Sequence, residues 1–248
     1  ILGIVRRTRV MRADDRSRGY YDAFATHYEH GRDAGYHRWL DDRSAGLVSE
    51  YGRGRDILEV GCGTGLILER ITPFSKSAVG LDLSPGMLEV AKRRGLDVVE
   101  GTARELPFKD NSFDVVYSFK VLAHIPDLAR VFDEMARVVR PGGHLILEFY
   151  NRQSLRWWVR RMRPAGRIGQ QRTEKDVYTR FHTLSELQSL IPDTLQLKCI
   201  HGLRIATLVP QMFRLPGLGP HWEAVEDRLS ASAFRRYAGF LVLVLERK

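Results

Sequence analysis

Ile57-Leu58-Glu59-Val60-Gly61-Cys62-Gly63-Thr64-Gly65-Leu66 is the stretch from which the rest of the chain is read. Its apolar first half predicts a buried parallel strand, and its second half a glycine-rich turn that opens a helix. Glycine on alternate positions lets the backbone turn sharply and approach a ligand where a Cβ would intrude. Further on, the apolar run Ala78-Val79-Gly80-Leu81 ends in Asp82. An acid at the tip of the second strand of a nucleotide-binding sheet stands where ribose hydroxyls donate hydrogen bonds. Together the two features predict a site for a nucleoside-containing cofactor. The alternative for Asp82 is an ordinary turn former at a strand end.

The glycine spacing narrows the choice of cofactor. A dinucleotide fingerprint requires Gly-x-Gly-x-x-Gly. Here the third glycine comes one place early, and Leu66 holds the fingerprint position. No Lys-Ser/Thr pair follows the turn, which excludes a phosphate-cradling P-loop. A cofactor without phosphates fits better. The pattern resembles the first motif of class I S-adenosylmethionine-dependent methyltransferases, Glu/Asp-x-Gly-x-Gly-x-Gly. That resemblance implies S-adenosylmethionine as cofactor and S-adenosylhomocysteine as its product. It places Gly61, Cys62, Gly63 and Gly65 beside the methionine portion, Glu59 near the amino group and Asp82 on the ribose.

Further motifs between Tyr21 and Glu148 extend the resemblance to the ubiquinone/menaquinone-biosynthesis-like, type 11 group. Leu81-Asp82-Leu83-Ser84-Pro85-Gly86-Met87-Leu88 is similar to its second motif, which implies Leu83 and Met87 near the adenine. Gly101-Thr102-Ala103-Arg104-Glu105-Leu106-Pro107-Phe108 is similar to its third, although the group commonly has an acid where Thr102 stands. The Thr102 hydroxyl can still accept one hydrogen bond, and the Ala103 backbone offers further contacts. Ser118-Phe119-Lys120-Val121-Leu122-Ala123-His124-Ile125-Pro126 is similar to the motif at the fourth strand. It implies Phe119 against the cofactor and His124 at the start of the acceptor wall.

The whole chain reads as α/β. Strand-like runs at 56–60, 78–82, 97–100, 114–118 and 144–149 alternate with helical runs at 66–71, 85–94 and 128–139, the pattern of a parallel sheet covered on both faces. Ser84-Pro85 is a good helix start, and Pro141-Gly142-Gly143 reads as the turn into the fifth strand. Residues 20–28 and 36–51 read as amphipathic helices. Beyond the core come an arginine-rich stretch at 151–180, a short helix at 183–191, a strand at 195–205, a Pro/Gly-rich loop at 210–220, a helix at 221–229 and a strand at 240–245. With the family resemblance, this order implies a Rossmann-like, mostly parallel sheet of seven strands with the last antiparallel. The expected division is a helical lid at 1–50, a cofactor core at 51–150, a substrate-capping insertion at 151–182 and completion of the sheet at 183–248, all one structural domain.

Composition bounds the function classes. The chain has 248 residues, 44% hydrophobic and 28% charged, ordinary for a globular α/β domain. No apolar run is long enough for a membrane span, and the apolar start before Arg6-Arg7 is too short for a secretory signal. Two cysteines without CxxC or metal-ligand spacing argue against a disulfide framework or a metal site and for a cytoplasmic setting. A net charge of +9 fits an anionic partner as well as a solvated basic surface. An RNA methyltransferase or basic RNA-binding protein is the rival class. Against it, the aromatic residues do not interleave with arginines as a stacking platform would, so nucleic acid is not the expected partner. A non-catalytic cofactor scaffold is the third reading. The expected partner is a small-molecule methyl acceptor, with the chain a monomer or homodimer.

The chemistry needs a positioned acceptor and, for a phenol or an acidic carbon, a base. His124 is the expected base, because imidazole titrates near neutral pH; the competing reading is a packed or capping histidine. Tyr21, Tyr150, Arg152 and His182 are weaker substrate-side candidates, at strand ends or on expected lid elements. Tyr28 and Tyr21, seven apart, are either core residues of the first helix or tyrosines of a lid closing on the cofactor. Trp157 and Trp158 could stack on an aromatic substrate, but at adjacent helix positions only one can face inward, and core packing is the favoured reading. The arginines after residue 150 suit an anionic substrate or a solvated helix face.

Overall fold

The computed structural model describes residues 18–22, 25, 28–29, 32, 35–162, 167–168, 172–173, 178–207, 212–213, 219–230 and 232–248. Strands β1 (Asp56–Val60), β2 (Ser77–Asp82), β3 (Asp97–Glu100), β4 (Phe113–Ser118) and β5 (Val139–Tyr150) alternate with helices α1 (Gly35–Gly52), α2 (Leu68–Ile71), α3 (Pro85–Arg93) and α4 (Leu128–Val138). Helix α5 (Leu155–Met162) is followed by a two-residue ladder, β6 (Arg167–Ile168) and β7 (Arg172–Thr173). Then come α6 (Leu184–Gln188), β8 (Leu195–Leu203), α7 (Gly219–Ser230) and β9 (Phe240–Arg247).

The main sheet has seven strands in the order β3-β2-β1-β4-β5-β9-β8. The strands from β3 to β5 pair in parallel, and β9 runs antiparallel to both its neighbours. This is the expected α/β architecture. The chain leaves β1 towards β2 on one side and reaches β4 on the other. That reversal opens a crevice beyond the carboxyl ends of β1 and β4, where open α/β sheets bind ligands.

Side-chain alternation along the strands builds two core layers. Leu58, Val116, Leu145 and Leu243 face α4, where Val131, Phe132 and Met135 meet them. Ile57, Val115, Ile146 and Val244 face the other way, towards Trp39, Leu40 and Val48 of α1. Burial on both faces explains why these strands read as continuous apolar runs.

Helix α3 starts where Ser84-Pro85 predicted: the Ser84 Oγ accepts from the Met87 N–H at 3.2 Å. Asp22 adds to that cap, its Oδ1 accepting from the Ser84 hydroxyl at 2.5 Å and the Gly86 N–H at 3.0 Å. Thr183 and Glu186 form a capping box on α6.

Two expectations are corrected. Residues 18–22 are helical but Tyr28 lies in a turn, so no single helix runs over 20–28. Pro141-Gly142-Gly143 lies inside β5, where Gly142 takes φ +76 and the pairing with β4 shifts register. The strand absorbs the turn as a bulge. Trp158 is 55% exposed and meets Trp157 edge-on at 4.9 Å, in keeping with two adjacent helix positions of which only one can face inward. Much of the expected capping insertion and of the 210–220 loop lies outside the described residues. Among those described, no helix is long and apolar enough to cross a membrane.

Candidate functional site

A cavity of about 510 Å³ opens at the carboxyl ends of β1, β2 and β4. One wall is the glycine turn. Gly61, Gly63 and Gly65 all have positive φ, at +82, +55 and +84. A Cβ on Gly61 would sit 2.3 Å from the Val121 Cγ2, and one on Gly65 2.3 Å from the Leu96 Cδ1. Those two glycines therefore serve close packing of the turn against its own protein. At Gly63 a Cβ would meet no atom within 4 Å, and this residue lines the cavity.

Two carboxylates stand on this wall. Glu59 sits at 2% exposure in β1, and its Oε2 accepts from the Tyr117 hydroxyl at 2.9 Å. Burial pushes its pKa up to about 8, against the Tyr117 hydrogen bond. A carboxyl desolvated this far gains most from an adjacent cation. Asp82 ends β2 and does two things. It shapes the turn, accepting from the Gly63 N–H at 2.8 Å and the Ser84 N–H at 2.9 Å, and it lines the cavity. The turn-former reading of Asp82 is realised, and from its place on the cavity wall the carboxylate has lone pairs left for hydroxyl donors. Burial raises its pKa, opposed by those backbone hydrogen bonds.

Leu83, Met87, Thr102, Ala103 and Phe119 line the same cavity, as does Cys62. Gly65 does not; its place is the packing of the turn. Tyr21 and Tyr28 also line the cavity, which favours their reading as a lid. Polar clamps hold that N-terminal segment down. Asp22 grips the α3 start, and Arg94 donates to both oxygens of Glu29 at 2.7 Å. Arg32 stacks over the Tyr28 ring at 4.0 Å.

At the opposite end, His124 Nδ1 lies 2.8 Å from the Tyr178 carbonyl oxygen. A carbonyl only accepts, so Nδ1 carries the proton and the neutral ring has its lone pair on Nε2. Tyr150 meets the imidazole edge-on, with ring centroids 5.8 Å apart. Burial raises the pKa of Tyr21 and of Tyr150, so both stay protonated at neutral pH and act as hydrogen-bond donors. Two other candidates fall outside the cavity. His182 is fully buried behind Phe149, and Arg152 is engaged by Glu186 at 2.7 Å.

Sequence reading missed a polar network between the two ends. Lys120, in the left-handed region at φ +63, donates from Nζ to the Asp41 Oδ1 at 2.5 Å. Its backbone N–H donates to the Glu148 Oε1 at 3.1 Å. Desolvation works against the ammonium, but Asp41, Tyr28 and Glu148 outweigh it and raise its pKa. A non-glycine residue in that region at the β4 tip was the available sign of a strained functional turn, visible only in the backbone.

Residues 58–147 match the family model described as a methyltransferase domain. The ubiquinone biosynthesis O-methyltransferase of Proteus mirabilis is 31% identical over 131 residues, 49% of this chain and 50% of that protein. The demethylmenaquinone methyltransferase of Oceanobacillus iheyensis is 39% identical over 103 residues, 38% and 43% of the two chains. The chain spans about half the length, or less, of these curated relatives. Among solved structures, an S-adenosylmethionine-dependent methyltransferase from Thermotoga maritima, titled a possible histamine N-methyltransferase, superposes with a TM-score of 0.67 at 22% identity, covering 93% and 99% of the chains. The geranyl diphosphate C-methyltransferase of Streptomyces coelicolor gives 0.62 at 17%, covering 89% and 83%. These structures show the fold. The family-model match over residues 58–147 spans the same stretch as the glycine-turn, second-strand and fourth-strand motifs.

Proposed function

We propose that the chain transfers a methyl group from S-adenosylmethionine to a small-molecule acceptor at oxygen or carbon. The observation that carries this is that Glu59 and Asp82 line one cavity wall on either side of a glycine turn that lacks the dinucleotide spacing. The desolvated Glu59 carboxyl suits the amino group of the donor, Asp82 its ribose, and Leu83, Met87, Thr102 and Ala103 its adenine. When bound, the donor supplies an activated methyl with a good leaving group.

The chain's own residues then have three tasks. The Tyr20, Tyr21 and Tyr28 cover excludes water. The wall of Ile125 and Tyr150 orients the acceptor. His124 takes the acceptor proton at Nε2, its tautomer set by the Tyr178 carbonyl. Quinone-biosynthesis relatives make a phenolic or quinol-like acceptor the favoured class. The two free cysteines support a reducing, cytoplasmic setting. The lid, core and capping division belongs to the same reading.

A mass-spectrometric screen of the purified chain with S-adenosylmethionine and a mixed phenol library tests this, beside Asp82→Ala and His124→Ala. Expected are a product 14 Da heavier with the parent (the ~14 Da mass of a CH₂ unit, the unit of alkyl gain), no donor binding with the first variant, and binding without efficient turnover with the second. Donor binding unaffected by Asp82→Ala overturns the assignment.

A further inference from the structure

The cavity's acceptor end holds a cation that makes no ion pair among the described residues. Arg156 projects from α5 into the cavity wall. Its guanidinium carbon lies 4.7 Å from the Tyr150 ring centroid and 4.7 Å from that of Phe240. Its stem runs over Gly239, where a Cβ would come within 3.4 Å of the Arg156 Cδ. Two aromatic faces and a glycine seat this side chain, so little rotamer freedom remains to be lost on binding.

The seat leaves Nη1 buried without a hydrogen-bond partner. The Tyr150 hydroxyl is a near neighbour of the guanidinium, but no bond of ordinary length and angle reaches Nη1. Among the described residues no carboxylate comes within 4.0 Å of Arg156. Lys120, another cation lining the cavity, is already matched by Asp41. Glu148 feels the Arg156 charge from beyond ion-pair distance; its Oε1 accepts from the Lys120 backbone and its Oε2 is buried without a hydrogen-bond partner. Arg204 adds a second guanidinium nearby, over the Tyr36 ring at 5.1 Å. A buried donor left unmatched beside a second cation costs free energy in the empty site and recovers it when an oxyanion arrives.

Resting on the methyl-transfer reading, we propose that the acceptor is an aromatic compound bearing a compact oxyanion, held by Arg156 and the Tyr150 hydroxyl. The base and the clamp meet at one ring: Tyr150 touches both His124, at 5.8 Å, and Arg156. The aromatic lining of Tyr20, Tyr21 and Tyr178 suits the acceptor's faces.

The test titrates benzoate, phenyl phosphate and benzamide into the chain by calorimetry, with and without saturating S-adenosylhomocysteine, for the parent, Arg156→Gln and Arg156→Lys. Benzoate or phenyl phosphate should bind at least about tenfold tighter than benzamide, the factor expected for a charge-assisted pair. Whichever anion gains more identifies the acid as carboxylate or phosphate. Arg156→Gln should abolish the preference and Arg156→Lys keep part of it, with S-adenosylhomocysteine affinity unchanged in both. The proposal falls if neither anion binds better than benzamide, or if the preference survives in Arg156→Gln. A parent that ignores S-adenosylhomocysteine yet keeps the anion preference overturns the methyl-transfer reading and leaves the oxyanion clamp standing.

Discussion

Replacing Glu59 with glutamine keeps the shape of a buried side chain and removes its charge. Burial pushes this carboxyl from 4.5 up to about 8, with Asp41 and Asp82 adding to the rise and Tyr117 and Lys120 opposing it. A proton held more tightly in the folded chain favours folding fully below about 4.5, and that contribution is lost as pH rises through about 8. At about 1.4 kcal/mol per unit, the unliganded chain carries a penalty that reaches an upper limit of roughly 5 kcal/mol at pH 8. Glutamine removes the penalty and keeps an oxygen to accept from Tyr117, which donates at 2.9 Å. Thermal unfolding of Glu59→Gln should therefore match the parent near pH 5. At pH 8 it should exceed the parent by about 2–4 °C for each kcal/mol recovered. Calorimetry should meanwhile show S-adenosylhomocysteine binding roughly 10–100-fold weaker, the loss of one charge-assisted hydrogen bond. A variant that unfolds earlier than the parent at both pH values, or binds the product as tightly, refutes the reasoning.

Other outcomes follow from the same geometry. In the parent, product affinity should rise from pH 6 to pH 8 as Glu59 ionises, and titrations across that range that show no trend would count against its role beside the ammonium. His124→Ala should lower turnover by about 10²–10⁴ while product affinity holds, read by steady-state rates beside calorimetry. Gly61→Ala should destabilise by about 2–4 kcal/mol in denaturant titration, since it forces a Cβ onto Val121 at positive φ. Arg94→Ala, which removes the Glu29 clamp, should speed hydrogen exchange in the segment around Tyr21 and Tyr28; unchanged exchange would show that Asp22 alone holds it.

How much was legible depended on the range of the interactions. The strand at Asp56–Val60 and its glycine turn matched to the residue, because the signal is local: apolar burial, then backbone angles that glycine tolerates. Ser84-Pro85 announced α3 for the same reason, a cap written within four residues. The site's polar network was not legible. Lys120 and Asp41 are 79 positions apart and meet only because α1 packs over β4. Asp22 could not be read as a cap for a helix 62 positions away. His182 followed the rule that strand ends bear function, but its bridge to Asn151 turns it into the apolar layer behind Phe149. Arg156 was one arginine among many in a basic stretch, set apart only by the two rings that seat it.

Calorimetric titration of the purified chain with S-adenosylhomocysteine, repeated with Asp82→Ala, tests the central claim most directly. Saturable binding at one site per chain, lost in the variant, is the expected result. A chain that takes up neither S-adenosylmethionine nor its product, yet binds a nicotinamide or flavin nucleotide, would contradict it.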